Sequence, residues 1–166
     1  MEGPDFPRQL VESYLEMRAA ELSHLAQDVG QNPKLRLATE KALLKIAAGE
    51  EQYEDLATRI AAVDLLGILG LSKSRTLRRE LLQVLRRVFS AEKLNELALF
   101  DALPRRPRCN QQCSELKFLG ALLRVMLQEE PSPEAATAEQ IATIFSGTRF
   151  GKKVRTWLDD LGGNKS

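Results

Sequence analysis

Aromatic residues are scarce: one Trp, two Tyr and six Phe make up 5% of 166 residues. A core built on stacked rings is excluded, and the 43% of hydrophobic residues must pack mainly as Leu, Ala, Val and Ile. Histidine occurs once, at His24, and cysteine twice, at Cys109 and Cys113. Two cysteines make no disulfide framework, so the expected setting is a reducing one, nucleus or cytoplasm. Cys109-x-x-x-Cys113 with one distant histidine leaves a structural zinc short of ligands, and the spacing is not that of a redox pair. No metal and no cofactor is expected. Long apolar runs are missing too. The greasiest stretch, Ile60–Leu71, has twelve residues with Asp64 its one charge, whereas a membrane helix needs about 20. The opening Met1-Glu-Gly-Pro-Asp is acidic and polar, unlike a signal peptide.

Catalytic signatures are equally thin. The sequence has no Gly-rich phosphate loop, no Gly-x-Ser-x-Gly, no His-Glu-x-x-His and no acidic metal cluster. His24 stands among Leu22, Leu25, Glu21 and Asp28 without a recognisable nucleophile and reads as a half-exposed helix histidine. Asp64 is a lone carboxylate in an apolar run. An ion pair with Arg59, Lys45 or an arginine farther on is its expected structural role, because an unpaired buried acid is costly. The chain is expected not to be an enzyme.

No stretch alternates apolar and polar residues as a strand would, whereas helical spacing recurs throughout. A first helix follows Asp5, its candidate cap, carries Leu10, Val11, Tyr14, Leu15, Leu22 and Leu25, and stops at Gly30. Asn32 caps a second, with Pro33 in its first position and Gly49 at its end. Glu50–Asp55 opens a third that runs into Ile60–Leu71. Ser72 or Ser74 caps a fourth reaching Phe89, and Ser90 a short fifth ending at Leu103-Pro104. A sixth covers about Gln112–Glu129. Thr137–Phe145 and Arg149–Leu161 are the last two, with Gly162-Gly163 as the stop. The expected fold is all-α: one helical domain of about eight helices, with the loop at 104–111 and the break at 130–136 as candidate hinges. Ile60–Leu71 is its expected central helix, with Gly67 and Gly70 letting a neighbour approach.

Ala42-Leu-Leu-Lys-Ile46, Glu80-Leu-Leu-Gln-Val84 and Ala121-Leu-Leu-Arg-Val125 share one pattern at intervals of 38 and 41 residues. Armadillo and HEAT repeats stack helices with a period of roughly 40–47 residues, so the packing is expected to be ARM/HEAT-like or an irregular bundle.

Charge is balanced overall, at +1, but unevenly placed. Residues 1–64 hold seven cations and twelve acids (net −5), and residues 65–124 twelve cations and five acids (net +7). The fourth helix sets Leu77, Leu81, Leu82, Val84, Leu85, Val88 and Phe89 on one side. Lys73, Arg75, Arg79, Arg86 and Arg87 fall on the other, with Arg78 at the border. Such a face is either a wet helix surface or an anion-binding one. No aromatic interleaves with its arginines, so stacked bases find no platform there. Arg105 and Arg106, with Arg108, extend the basic character into the loop. Arg149 and Lys153 flank a last apolar stripe of Phe150, Val154, Trp157, Leu158 and Leu161, and Trp157 with arginines would make effective binding hot spots.

Ser146-Gly-Thr-Arg-Phe-Gly-Lys-Lys-Val-Arg155 resembles the Thr-x-Ile-Gly-Lys-x-Val segment of the N-terminal domain of transcription elongation factor S-II. Leu119–Met126 and Pro131-Ser-Pro133 match the leucine-rich helix and break before it, so the likeness covers about residues 115–158. Phe150 stands where the family has an aliphatic residue, and the family's following Lys-Trp helix has no counterpart before Ser166. The resemblance implies a helical bundle that binds short motifs of disordered transcription regulators, in a nuclear setting. The two readings agree on a non-enzymatic adaptor that docks an acidic or disordered protein segment. Its expected contact residues are Lys73, Arg75, Arg79, Arg86, Arg87, Arg105, Arg106, Arg149, Lys153 and Trp157. The alternative is a nucleic-acid-associated protein using the arginines of residues 73–108.

Overall fold

The computed structural model describes residues 6–16, 19–50, 55–104, 111–128 and 134–163. Every regular element among them is helical, so the protein is all-α. In chain order these are α1 (Phe6–Leu15), α2 (Ala19–Gln31), α3 (Pro33–Ala47), α4 (Leu56–Ile68), a 3-10 turn (Leu71–Lys73), α5 (Arg75–Val88), α6 (Ala91–Asp101), α7 (Gln111–Met126), α8 (Ala135–Ile144) and α9 (Arg149–Gly163). They form two compact units, residues 1–77 and 78–166, and the division falls within α5.

Side-chain caps explain most of the starts. Asn32 Oδ1 accepts from Lys34 N (3.1 Å) and Leu35 N (3.2 Å), with Pro33 preset for the first turn. Ser74 Oγ accepts from Leu77 N and Ser90 Oγ from Lys93 N. Each satisfies a terminal N–H that the helix itself leaves open, worth about 1 kcal/mol. Boundaries differ from the sequence reading where the deciding signal is tertiary. The expected first helix is two, α1 and α2, because apolar spacing carries across residues 16–18 without revealing a break. The third begins at Leu56 with Asp55 as its cap; Glu51–Glu54, like the candidate cap Asp5, lie outside the described residues. Gly162 and Gly163 continue α9 rather than stop it.

In the first unit, α4 packs on α3 and α1. It buries Ala61, Ala62, Val63, Leu65 and Leu66, but leaves Ile68 55% exposed. Its burial is therefore one-sided, although its sequence is apolar nearly all round. Gly70 serves a turn: its φ is +74° and nothing lies within 4 Å of where a Cβ would sit, so close approach is not its role. Asp64 Oδ2 accepts a 2.7 Å hydrogen bond from the Tyr14 hydroxyl of α1. Arg59, one of its expected partners, donates Nε–H to the Ala47 carbonyl at 3.0 Å.

The second unit has a core helix of its own. Along α7, Leu116 and the whole run Phe118–Leu123 are buried, as are Val125 and Met126. Phe118 meets Phe89 at 6.0 Å between centroids, and α9 packs on both α7 and α8.

The Tyr14–Asp64 bond ties α1 to α4, so Tyr14→Phe is expected to lower unfolding free energy by about 1–2 kcal/mol. Urea denaturation measures this; an unshifted midpoint would show that the bond contributes nothing.

Candidate functional site

The second unit brings the exposed cations of α5 and α9 onto helices with buried, well-defined inner faces. On α5, Leu81, Val84 and Leu85 are buried, while Arg79, Arg86 and Arg87 are exposed. Arg79 and Arg86, seven residues apart, share a face. Lys73 and Arg75 are exposed as well, but belong to the first unit. None of these five carries an ion pair or side-chain hydrogen bond among the described residues. Arg105 and Arg106 lie outside the described residues.

Arg78 departs from the basic face. It is 3% exposed and its Nε lies 3.8 Å from a carboxylate oxygen of Glu134, itself buried just before α8. A guanidinium at the border of an amphipathic face can turn inward when a buried acid meets it, and sequence spacing does not reveal that acid. Arg78 thus fastens the start of α8 to α5.

α9 is placed by a tight junction. Gly147, at φ +83°, reverses the chain after α8. The Thr148 hydroxyl donates to the Phe145 carbonyl at 2.7 Å and accepts from Gly151 N at 3.0 Å. Phe150 N donates to Asp101 Oδ2 at 2.7 Å, a buried bond that crosses from the end of α6. Gly151 is fixed by sterics, since a Cβ there would sit 2.1 Å from the Phe145 oxygen. In Thr148-Arg-Phe-Gly151, then, the threonine caps and the glycine lets two backbones touch.

The junction fixes the display of α9. Val154 and Leu158 point inward, whereas Arg149, Lys152, Lys153 and Arg155 are exposed around its first turns. Arg155 makes a two-oxygen contact with Glu139 of α8, at 2.9 and 3.1 Å. Arg149, Lys152 and Lys153 have no ionic partner among the described residues. The exposed acids Asp159 and Asp160 stand at the other end. At the ends themselves, Arg149 and Lys152 in the first turn and Asp160 in the last oppose the helix dipole, which favours acids at the start and cations at the end by about 0.3–1 kcal/mol each. The buried Asp101 supplies the negative charge that the first turn of α9 itself lacks.

Trp157 is half-buried. It lies beside Gly120 of α7, where a Cβ would press on the Phe150 ring at 3.3 Å and meet the Trp157 ring at an ordinary 3.7 Å, and the Arg124 guanidinium lies 5.8 Å from the Trp157 ring centroid. Sequence reading placed Trp157 on the stripe but did not single out Arg124, an exposed cation within the buried run of α7. A charge interrupting Ala121-Leu-Leu-Arg-Val125 was the available signal.

His24 is exposed on α2, and Cys113 is half-buried on α7, with Cys109 outside the described residues. Among the described residues, no cluster of His, Cys, Asp and Glu could hold a metal ion, and no helix is long and apolar enough to cross a membrane.

Gly151→Ala is expected to cost at least about 1–3 kcal/mol by overpacking. Gly30→Ala, with open space around the site in α2, should be neutral or stabilising by up to about 1 kcal/mol. Urea titrations of both variants check the pair, and equal midpoints would refute the steric assignment. Trp157 is the only tryptophan, so its emission should shift to the red in Arg124→Ala if the guanidinium shields the ring. No protein-family model, curated protein or solved structure matches this chain.

Proposed function

We propose that the chain is a non-enzymatic docking module, an adaptor in the nucleus or cytoplasm, that holds an acidic, disordered segment of a partner protein on its second unit. One observation carries this reading: Arg79, Arg86 and Arg87 of α5 and Arg149, Lys152 and Lys153 of α9 are exposed without ionic partners among the described residues. Arg149 and Lys152, in the first turn of α9, also sit where they oppose the dipole of their own helix. Stability alone would trade some of them for acids, and residues that break a local rule in this way cluster at functional positions. Trp157 under Arg124 adds an aromatic-and-arginine pair of the type that anchors interfaces. The resemblance of residues 146–155 to the S-II N-terminal domain supports the same class of partner and a role in transcription regulation.

The same arginines favour the second reading, contact with a nucleic-acid backbone. Such binding would fall steeply with salt. The two readings separate in one set of measurements. Captured proteins identified by mass spectrometry should include one with an acidic disordered segment. Its synthetic peptide should bind the purified chain at least about tenfold more weakly after Arg79→Glu with Arg86→Glu, a loss of about 1.4 kcal/mol. Arg79→Lys with Arg86→Lys should retain most of the affinity, and circular dichroism should show equal helicity in all three proteins. A peptide indifferent to the reversal would overturn the α5 surface. Salt-steep binding to a generic DNA duplex, tighter than to the peptide, would favour the nucleic-acid reading.

A further inference from the structure

Between the end of α8 and the first turns of α9 the second unit has an open cleft of about 490 Å3. Its smallest lining residues are Ala142, Gly147 and Gly151. Both glycines have structural reasons to be there, one a left-handed turn and the other a backbone contact. Lys152, Arg155 and Ser146 supply the donors at its rim, and no carboxylate belongs to its lining.

The state of those donors defines the ligand. The Lys152 ammonium and the Ser146 hydroxyl have no partner among the described residues. Arg155 commits Nη1 to Glu139, which leaves its Nε–H and Nη2 groups open. Thr143 and Thr156 also line the cleft, but their hydroxyls donate back into their own helices, to the Glu139 and Lys152 carbonyls. They contribute walls. The end of α9 contributes little by itself, because its first N–H groups are taken by Asp101 and Thr148. What remains is an ammonium, the open part of a guanidinium and a hydroxyl lining one cleft. A planar carboxylate offers two oxygens to these groups. A phosphate monoester offers three, with a charge of about −1.5 to −2 near neutral pH.

We infer that the α8–α9 cleft is a phosphate-monoester site, which seats a phosphorylated serine or threonine of the partner segment between Lys152, Arg155 and Ser146. The source of the phosphate rests on the docking reading above; the site's chemistry does not.

The test titrates the isotope-labelled chain, by amide-resolved NMR at constant ionic strength, with three probes: N-acetyl-O-phosphoserine amide, N-acetyl-glutamate amide and inorganic phosphate. Phosphoserine should shift the amides of Ser146, Gly147, Lys152 and Thr156 saturably, about tenfold more tightly than glutamate, as added charge-assisted hydrogen bonds imply. Lys152→Gln with Ser146→Ala should abolish the saturable shifts while the spectrum stays dispersed. Arg79→Gln with Arg86→Gln should leave them intact, so this outcome is read apart from the fate of the α5 surface. Equal response to glutamate, or shifts spread over every cationic helix, would reduce the cleft to nonspecific attraction and overturn the proposal. Inorganic phosphate binding as tightly as phosphoserine would overturn the assignment to a phosphorylated side chain.

Discussion

The second unit depends on one buried hydrogen bond, from the Phe150 amide to the Asp101 carboxylate. It crosses 49 residues of sequence, joins the end of α6 to the start of α9, and places a negative charge at a helix start that has no acid of its own. Once Asp101 holds that end, Thr148 can close the turn and Gly151 can lie against the Phe145 carbonyl. The direction of α9 is then fixed. Val154 and Leu158 go inward, and Arg149, Lys152 and Lys153 have nowhere to go but outward. The cationic display follows from an anionic bond beneath it.

Fold class and most helix starts are legible in the sequence because they rest on local chemistry. Asn32-Pro33, Ser74 and Ser90 each cap with their own side chains, and the signal lies within three residues of the effect. What escapes is whatever depends on a distant partner. The break between α1 and α2 is invisible to periodicity. Arg78 lies at the border of a basic face by spacing, yet turns inward to Glu134, 56 positions along. The acid in the apolar run of α4 accepts from Tyr14, fifty residues back, a partner that no local spacing reveals. Glycines show the same divide. Gly49 reads correctly as the end of a helix, but Gly70, expected to admit a neighbour, serves a turn, and the backbone contact belongs to Gly151, against the Phe145 carbonyl on the far side of a turn.

Composition alone does not rank the helices by burial. Ile60–Leu71, in the first unit, is the greasiest stretch, yet it leaves Ile68 exposed. α7 is less apolar on average because Lys117 and Arg124 interrupt it, yet it is the more completely buried helix. Mean hydropathy counts those charges against burial. Geometry does not: seven residues apart, they occupy the same outward line of an otherwise enclosed helix. An enclosed helix with a narrow charged edge suits a structure that must bury most of one element and still offer a cation at a defined place. Arg124 beside Trp157 is such a place.

Charge order on α9 separates a merely solvated face from a retained one. A wet helix surface selected for stability would carry acids early and cations late, and could lace them into i,i+4 pairs. α9 does the reverse, and Arg149, Lys152 and Lys153 stay without ionic partners among the described residues. Arg155 is the instructive exception. Glu139 of α8 neutralises part of it, so the sequence has the means to quench a cation here and uses it once. Lys152, three residues earlier and in the same cleft, is left open. Under the docking proposal, selective quenching beside an open ammonium singles out α9 rather than α5 as the more specific part of the proposed surface.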